Sequence, residues 1–496
     1  MHPTFRCVTA TIMAVGSLLW AASPGAGETQ GDRPYEPTWE SLTKHPDPKW
    51  FADARFGIYF HWGVYSVPAY SSEWYSRNMY IGGHPANKHH LEKHGPLSRF
   101  GYKDFIPMFK AEKFDPDEWA ALFKKAGAQF AGPVAEHADG FAMWDSKISK
   151  WNATNMGPKR DIVGAMEKAI RKQDMKFITT FHHQWLWAWY PTYDKTCDAS
   201  NPEYADLYGP FVPKGGFSKP EPDPAFCERW EAKVKEVIDK YQPDLIWFDS
   251  RLNTIHEPYR KDLLAYYYNQ GAKWGREVGV TYKGKDLPVG AGIVDLERGR
   301  MSGLTEYAWL NDDSIDWKSW CDIQDADYKS ADRLVDGLVD IVSKNGNLLL
   351  NIPPKANGEI PQPVKERLLE MGAWLAVNGE AIYGTRPWEI FGEGPTKVKE
   401  GSFGEQKIGD FTAADIRFTT KGNALYAICL DWPGKELKIT SINSTNPLLA
   451  KEKIASIRML GADKHLEWSL DGDGLRIVTP ERGNGKYAFT FKIALK

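Results

Sequence analysis

Apolar and polar positions along the chain follow two successive patterns. From about residue 50 to residue 352, short apolar runs alternate with stretches whose apolar residues recur every three to four positions, as strands followed by amphipathic helices do. Eight runs read as strands: 56–61, 128–137, 176–182, 244–249, 277–282, 289–296, 304–309 and 347–352. Eight is the strand count of a (β/α)8 barrel. Helical stripes between them include Val163, Met166 and Ile170, and Leu334, Leu338, Ile341 and Val342. Asp115 as N-cap, Pro116 behind it and Glu118 three residues on predict a capped helix start with a reciprocal capping box. Connections among the fifth to eighth strands are uneven, and the shorter ones leave little room for helices, so an irregular barrel is expected there. A helix carrying Val364, Leu368, Met371 and Leu375 closes at Asn378-Gly379. Beyond about Trp388 the pattern becomes short alternating strands, such as 424–428, broken by Asn, Asp and Gly turns. The expected fold is α/β: an irregular (β/α)8 TIM-like barrel over 28–384, followed by an all-β sandwich domain over 385–496.

The first residues read differently. Arg6, an apolar run over 8–22 and small residues to Gly27 predict a cleavable secretory signal over 1–27, because the run is too short to span a bilayer. A secreted or periplasmic location is the corresponding expectation. Of five cysteines, Cys7 falls in that segment. Cys197 and Cys227 flank a Pro/Gly-rich loop and are placed to pair, whereas Cys321 and Cys429 read as buried free thiols. With no C-x-x-C spacing, a structural zinc site is not expected. A net charge of −3 over 496 residues argues against a nucleic-acid or anionic-membrane partner. The 21 Trp and 22 Tyr are numerous, and aromatic faces with one polar tip suit sugars that expose C–H patches.

Candidate chemistry sits at strand ends. The run Asp244-Leu245-Ile246-Trp247-Phe248-Asp249 delivers an acid to its C-terminal end, where an α/β barrel keeps its reactive groups. His61 and His137 end two other candidate strands. Taken alone, Asp249 could equally be the N-cap of the next helix, and each histidine a core group bonded to a backbone carbonyl.

Read in order, Trp50-Phe51 through Phe56-Gly57, His61-Trp62-Gly63, Glu73-Trp74-Tyr75, His137 with Asp139-Gly140-Phe141, Gly157-Pro158-Lys159-Arg160-Asp161, Trp247-Phe248-Asp249 and Asn347-Leu348-Leu349-Leu350-Asn351 resemble glycoside hydrolase family 29, the retaining α-L-fucosidases. The resemblance implies Asp249 as nucleophile, and His61, Glu73, Trp74 and His137 as residues that bind the sugar or close its pocket, with Trp247 beside the nucleophile. It also implies a fucosylated glycan or fucose-containing polysaccharide as substrate; no cofactor is expected, and no metal, because no His-x-His strand or His-Glu-x-x-His helix is present.

The chain departs from the family's pattern twice. Ala138 stands where a second histidine is common, so His182 or His183 fills in, or the pocket admits a substituted sugar such as a sulfated fucose or α-L-galactose. Leu310 follows Trp309 where some members carry the acid/base glutamate, and it cannot transfer a proton. Glu297, just after an apolar strand, is the replacement candidate, since burial there can lift a carboxyl pKa toward the working pH; Glu306 and Asp312 come next. Two other readings stand beside the fucosidase. One is a carbohydrate-binding barrel without an acid/base, and the other a metal-dependent hydrolase using His61, His137 and Asp249 as ligands.

Overall fold

The computed structural model describes residues 35–445, 453–482 and 485–496; the expected signal segment and Cys7 lie outside them. Eight parallel strands close a barrel in sequence order: β1 (Phe56–Phe60), β2 (Phe130–Glu136), β3 (Lys176–Phe181), β4 (Leu245–Phe248), β5 (Gly279–Lys283), β6 (Ile293–Asp295), β7 (Trp309–Ser314) and β8 (Gly346–Ile352). The barrel is irregular where expected, with no helix between β5 and β6 or between β6 and β7. β6 meets β7 through the single pair Asp295↔Leu310.

The seventh strand corrects the sequence reading. It was expected at 304–309 and lies at Trp309–Ser314. Its sequence, WLNDDS, is fully buried yet mostly polar, so apolar patterning does not reveal it. Its acids persist because cations reach them: Lys283 approaches Asp312 at 3.3 Å and Lys329 approaches Asp313 at 2.6 Å.

The helix Pro116–Lys125 starts as expected, with Asp115 accepting from the Asp117 and Glu118 amides. The Glu118 side chain reaches Lys365 at 3.0 Å rather than closing the expected box. The Cys197–Cys227 bridge is not formed, and the four described cysteines are free and buried. Cys227 lies on the core face of the helix Pro224–Tyr241, while the Cys197 thiol donates to the Asp194 carbonyl at 3.2 Å. Among the described residues no helix is long and apolar enough to cross a membrane.

After the helix Gln362–Asn378 the chain forms β9 (Arg386–Glu393), β10 (Ile416–Lys421), β11 (Ala424–Cys429), β12 (Glu436–Ile439), β13 (Ile454–Met459), β14 (Trp468–Asp471), β15 (Gly474–Val478) and β16 (Phe489–Leu495). Two antiparallel sheets, β13-β16-β11-β10-β9 and β12-β15-β14, share an apolar core built on Phe418, Leu425, Ile439, Leu475, Ile477 and Phe491. This sandwich is tied to the barrel by charge as well as packing. Asp340, fully buried on the helix Ala331–Ser343, takes Arg417 of β10 at 2.7 Å, Lys344 at 2.9 Å and Arg300 at 3.3 Å. Burial alone would raise the Asp340 pKa, but these three cations outweigh it and hold the carboxyl well below its usual range.

Asp340→Ala strands three cations in a buried site and is expected to cost about 3–5 kcal/mol of stability, read as a lowered thermal or urea midpoint. Because the folded pKa is depressed, the Asp340 contribution is present above about pH 4 and is lost as pH falls through the folded value. A variant as stable as the parent at pH 7 would contradict this role.

Candidate active site

Strand periodicity of two builds the site. Along β4, Leu245 and Trp247 face the barrel interior while Ile246 and Phe248 pack outward, so Asp249 is the next inward position. The same alternation carries Ile178 to His182, Tyr59 to His61, Ile293 through Asp295 to Glu297, Leu310 to Asp312, and Thr281 to Lys283. In β2 a register shift between Val134 and Glu136 changes the parity and turns His137 inward. All these groups emerge at the C-terminal ends of the strands.

At the centre is Lys283. Its ammonium lies 2.6 Å from Glu297, 3.3 Å from Asp249 and 3.3 Å from Asp312, and it sits over the Trp247 ring at 4.7 Å. Burial would lower the lysine pKa, but Asp312, Glu297 and Asp249 together raise it well above its usual value. Asp249 accepts from His182 Nδ1 at 3.1 Å and from the Ser250 amide at 2.7 Å. Burial pushes its pKa up, while Lys283 and His182 pull harder and keep it well below the ordinary carboxylate range. Asp312 behaves oppositely: burial and the neighbouring Asp295 raise its pKa well above normal despite Lys283. Trp247 forms the floor, 1 % exposed, donating Nε1 to Asp295 at 3.0 Å.

Three imidazoles stand beside Asp249. His182 lies 4.5 Å from His137 and 4.9 Å from His61, ring centre to ring centre. His61 Nδ1 is held by Asn351 Oδ1 at 2.9 Å, whereas His137 Nδ1 and His182 Nε2 are buried without a protein partner. Burial, then the neighbouring His182, lowers the pKa of both His61 and His137 and keeps them neutral, each able to donate one hydrogen bond and accept another. Ala138 is buried in the apolar core, and His183 turns away to Trp230, so His182 is the second histidine of this wall. Glu73 is 4 % exposed and accepts from the Trp320 amide at 3.3 Å; burial raises its pKa to about 7. Trp320 in turn packs 5.4 Å from His61. Trp74 stands among Trp189, Trp185 and Phe217 at 4.7, 5.4 and 6.3 Å, an aromatic wall that continues to His137 through Trp189.

The sequence candidates Asp249, Glu297, His61, His137, His182 and Trp247 thus converge, with Glu73 and Trp74 on the adjoining walls. Glu306 does not join them: it is exposed and precedes β7, at the opposite end of the barrel. Leu310 is buried in the interior layer with Trp247 and Ile293. Lys283 and Trp320 escaped the sequence reading. Lys283 was detectable by the strand-end rule that found Asp249, but the fifth strand was read one residue too short. Trp320 lies on a long loop that no periodicity marks.

One ligand nitrogen from each of His61, His137 and His182 falls within 4.8 Å of the others, close enough to hold a transition metal. Their unpartnered nitrogens suit sugar hydroxyls equally well. These histidines differ from the set weighed in the sequence, since Asp249 is engaged by Lys283 and His182.

Paired carboxyls, hydrogen-bonding imidazoles and an aromatic wall at the mouth of a closed (β/α)8 barrel define a glycoside hydrolase site. The family model described as "Alpha-L-fucosidase" matches residues 24–380, and "Alpha-L-fucosidase C-terminal domain" matches 409–494. The chain is 31% identical to the tissue alpha-L-fucosidase of Homo sapiens, covering 96% of this chain and 95% of that protein. It is 33% identical to the Bos taurus tissue enzyme over 90% and 87%. The crystal structure of Thermotoga maritima alpha-fucosidase in complex with fucose superposes with a TM-score of 0.74 at 31% identity, over 93% of this chain and 100% of that one. The chain belongs to the alpha-L-fucosidase family.

If the three histidines hold no metal, prolonged chelation by EDTA is expected to leave turnover of an aryl fucoside unchanged. A loss restored by zinc or manganese would make them metal ligands instead.

Proposed function

We propose that the protein is an exported, retaining exo-α-L-fucosidase with Asp249 as nucleophile and Glu297 as acid/base. One observation carries this reading: a single ammonium, Lys283, bonds to both carboxyls. A shared partner keeps their oxygens within about 6 Å of each other, near the ~5–5.5 Å of retaining enzymes and short of the ~6.5–9.5 Å of inverting ones.

In the first step a carboxylate oxygen of Asp249 bonds to the anomeric carbon as its bond to the glycosidic oxygen breaks. The Glu297 carboxyl gives that oxygen its proton. In the second step Glu297 takes a proton from water, whose oxygen displaces Asp249 and releases α-L-fucose. Lys283, His182 and the Ser250 amide suit Asp249 to this role by favouring its ionised form. Neutral His61 and His137, with the unpartnered Nε2 of His182, offer the pocket for ring hydroxyls, and Trp74 an apolar face. A fucosylated glycan or fucose-containing polysaccharide is the proposed substrate. Export is supported by the apolar run over 8–22, and the mass of protein recovered from a secreting host, expected to lack about the first 27 residues, tests it.

Asp249→Gly is expected to lower turnover by several orders of magnitude in a folded protein. Azide added to it attacks from the face the aspartate used and gives β-fucosyl azide, whereas azide added to Glu297→Ala gives the α-anomer. Near-normal activity of the Asp249 variant, or the opposite pairing of anomers, would refute the assignment.

Lys283→Met removes the cation that holds Asp249 ionised. The Asp249 pKa then rises, and the acid limb of kcat/KM moves to higher pH by about one to three pH units. An unmoved limb would show that Lys283 does not set the charge of Asp249.

A further inference from the structure

The short turn that carries Glu297 is held from two sides. On the barrel side, the Arg298 amide donates to the Asp312 carbonyl at 2.8 Å, and Asn311 Nδ2 donates to the carbonyls of Leu296 at 2.8 Å and Gly299 at 2.6 Å. On the outer side lies the segment 400–405, which belongs to the chain between β9 and β10. Its amides reach back in sequence: Gly401 to the Arg300 carbonyl at 3.1 Å, Phe403 to the Glu297 carbonyl at 2.8 Å and Glu405 to the Arg298 carbonyl at 3.1 Å. Arg300 and Gly401 form an antiparallel bridge, and Ser302 Oγ donates to Glu400 at 2.9 Å.

Both strips are strained where they meet. Arg298 has φ 43° and Phe403 φ 58°, the left-handed region that non-glycine residues avoid. Such backbone persists only where its surroundings over-determine it. Glu405 supplies much of that restraint. It is 4 % exposed, accepts from Arg298 Nη1 at 3.2 Å and from Lys329 at 2.6 Å, while Lys329 is also held by Asp313 of β7. The same Arg298 guanidinium donates to the carbonyls of Asp316 and Trp317 and lies 4.6 Å over Trp320, the ring beside His61. Glu405 therefore braces, through one arginine, both the turn of Glu297 and a ring of the sugar wall.

We propose that Glu405, contributed from beyond the barrel, is a positioning residue for acid/base catalysis: through Arg298 and the amides of segment 401–405 it fixes the backbone from which Glu297 reaches the leaving group. This rests on the acid/base reading of Glu297. A displaced acid loses most where the leaving group needs its proton and little where it does not.

The test measures Glu405→Gln, Glu297→Ala and the parent on two substrates, a fucosyl disaccharide and an aryl fucoside with a good leaving group. A second clamp variant, Gly299→Ala, does not touch Glu405, yet its new Cβ would meet the Gly401 carbonyl oxygen at 2.0 Å. Both clamp variants are expected to lose about tenfold or more in kcat/KM on the disaccharide, part of the ~10²–10⁴-fold that general acid–base catalysis supplies. On the aryl fucoside kcat/KM stays within about threefold, while kcat and KM fall together because the base-dependent second step slows. Equal losses on both substrates would make the clamp merely structural and overturn the proposal, as would no loss on either. If Glu297→Ala shows the leaving-group signature and the clamp variants do not, the clamp fails and the acid/base reading stands. If Glu297→Ala itself cleaves the disaccharide normally, the acid/base reading falls and the clamp with it.

Discussion

One buried ammonium makes the mouth of this barrel possible. Asp249, Asp295, Glu297 and Asp312 all face inward on β4, β6 and β7 or just beyond them, around the β5 strand that carries Lys283, and burying that much like charge without a cation is prohibitive. Lys283 contacts three of them, and the fourth is engaged by the Trp247 indole and the Asp312 amide. The arrangement sorts the acids by their partners. Asp249, with the lysine, an imidazole and an amide, is held as an anion, while Asp312, beside Asp295, has its pKa raised. A carboxylate that is anionic, rigid and close to a second carboxyl is what displacement at an anomeric carbon requires.

Around this centre the walls differ in chemistry. Neutral imidazoles offer both donors and acceptors on one side, and Trp74 with its aromatic neighbours offers an apolar face on another. The sandwich domain is more than an appendage to this barrel. Arg417 of β10 closes the charge of Asp340 beneath the barrel helices, and the segment before β10 grips the turn that bears Glu297. Stability and site geometry thus depend on the same covalent extension of the chain.

Much of this was legible in the sequence because strands whose side chains alternate and end in a polar group announce both their position and their direction. β4 is the clearest case, since Leu245, Trp247 and Asp249 follow one another at period two behind a helix stopped by Gln242-Pro243. The reading failed where burial is polar. β7, with Asn311, Asp312 and Asp313, is stabilised by lysines distant in sequence, and no local pattern encodes that. Lys283 was lost by one residue at a strand boundary. Glu405 lies more than a hundred residues from the Arg298 it braces, with nothing in its own neighbourhood to mark it. The Cys197–Cys227 pairing failed for a similar reason, because loop spacing says nothing of where helix Pro224–Tyr241 turns its thiol.

If two carboxyls bridged by Lys283 act in succession on one anomeric carbon, the first anomer released has retained configuration. Proton NMR of an aryl α-L-fucoside hydrolysed by excess enzyme resolves the product before mutarotation. α-L-Fucose is expected as the first product, with the β-anomer growing only as mutarotation proceeds. Initial release of β-L-fucose would mean a single direct displacement by water, and would contradict the covalent role of Asp249.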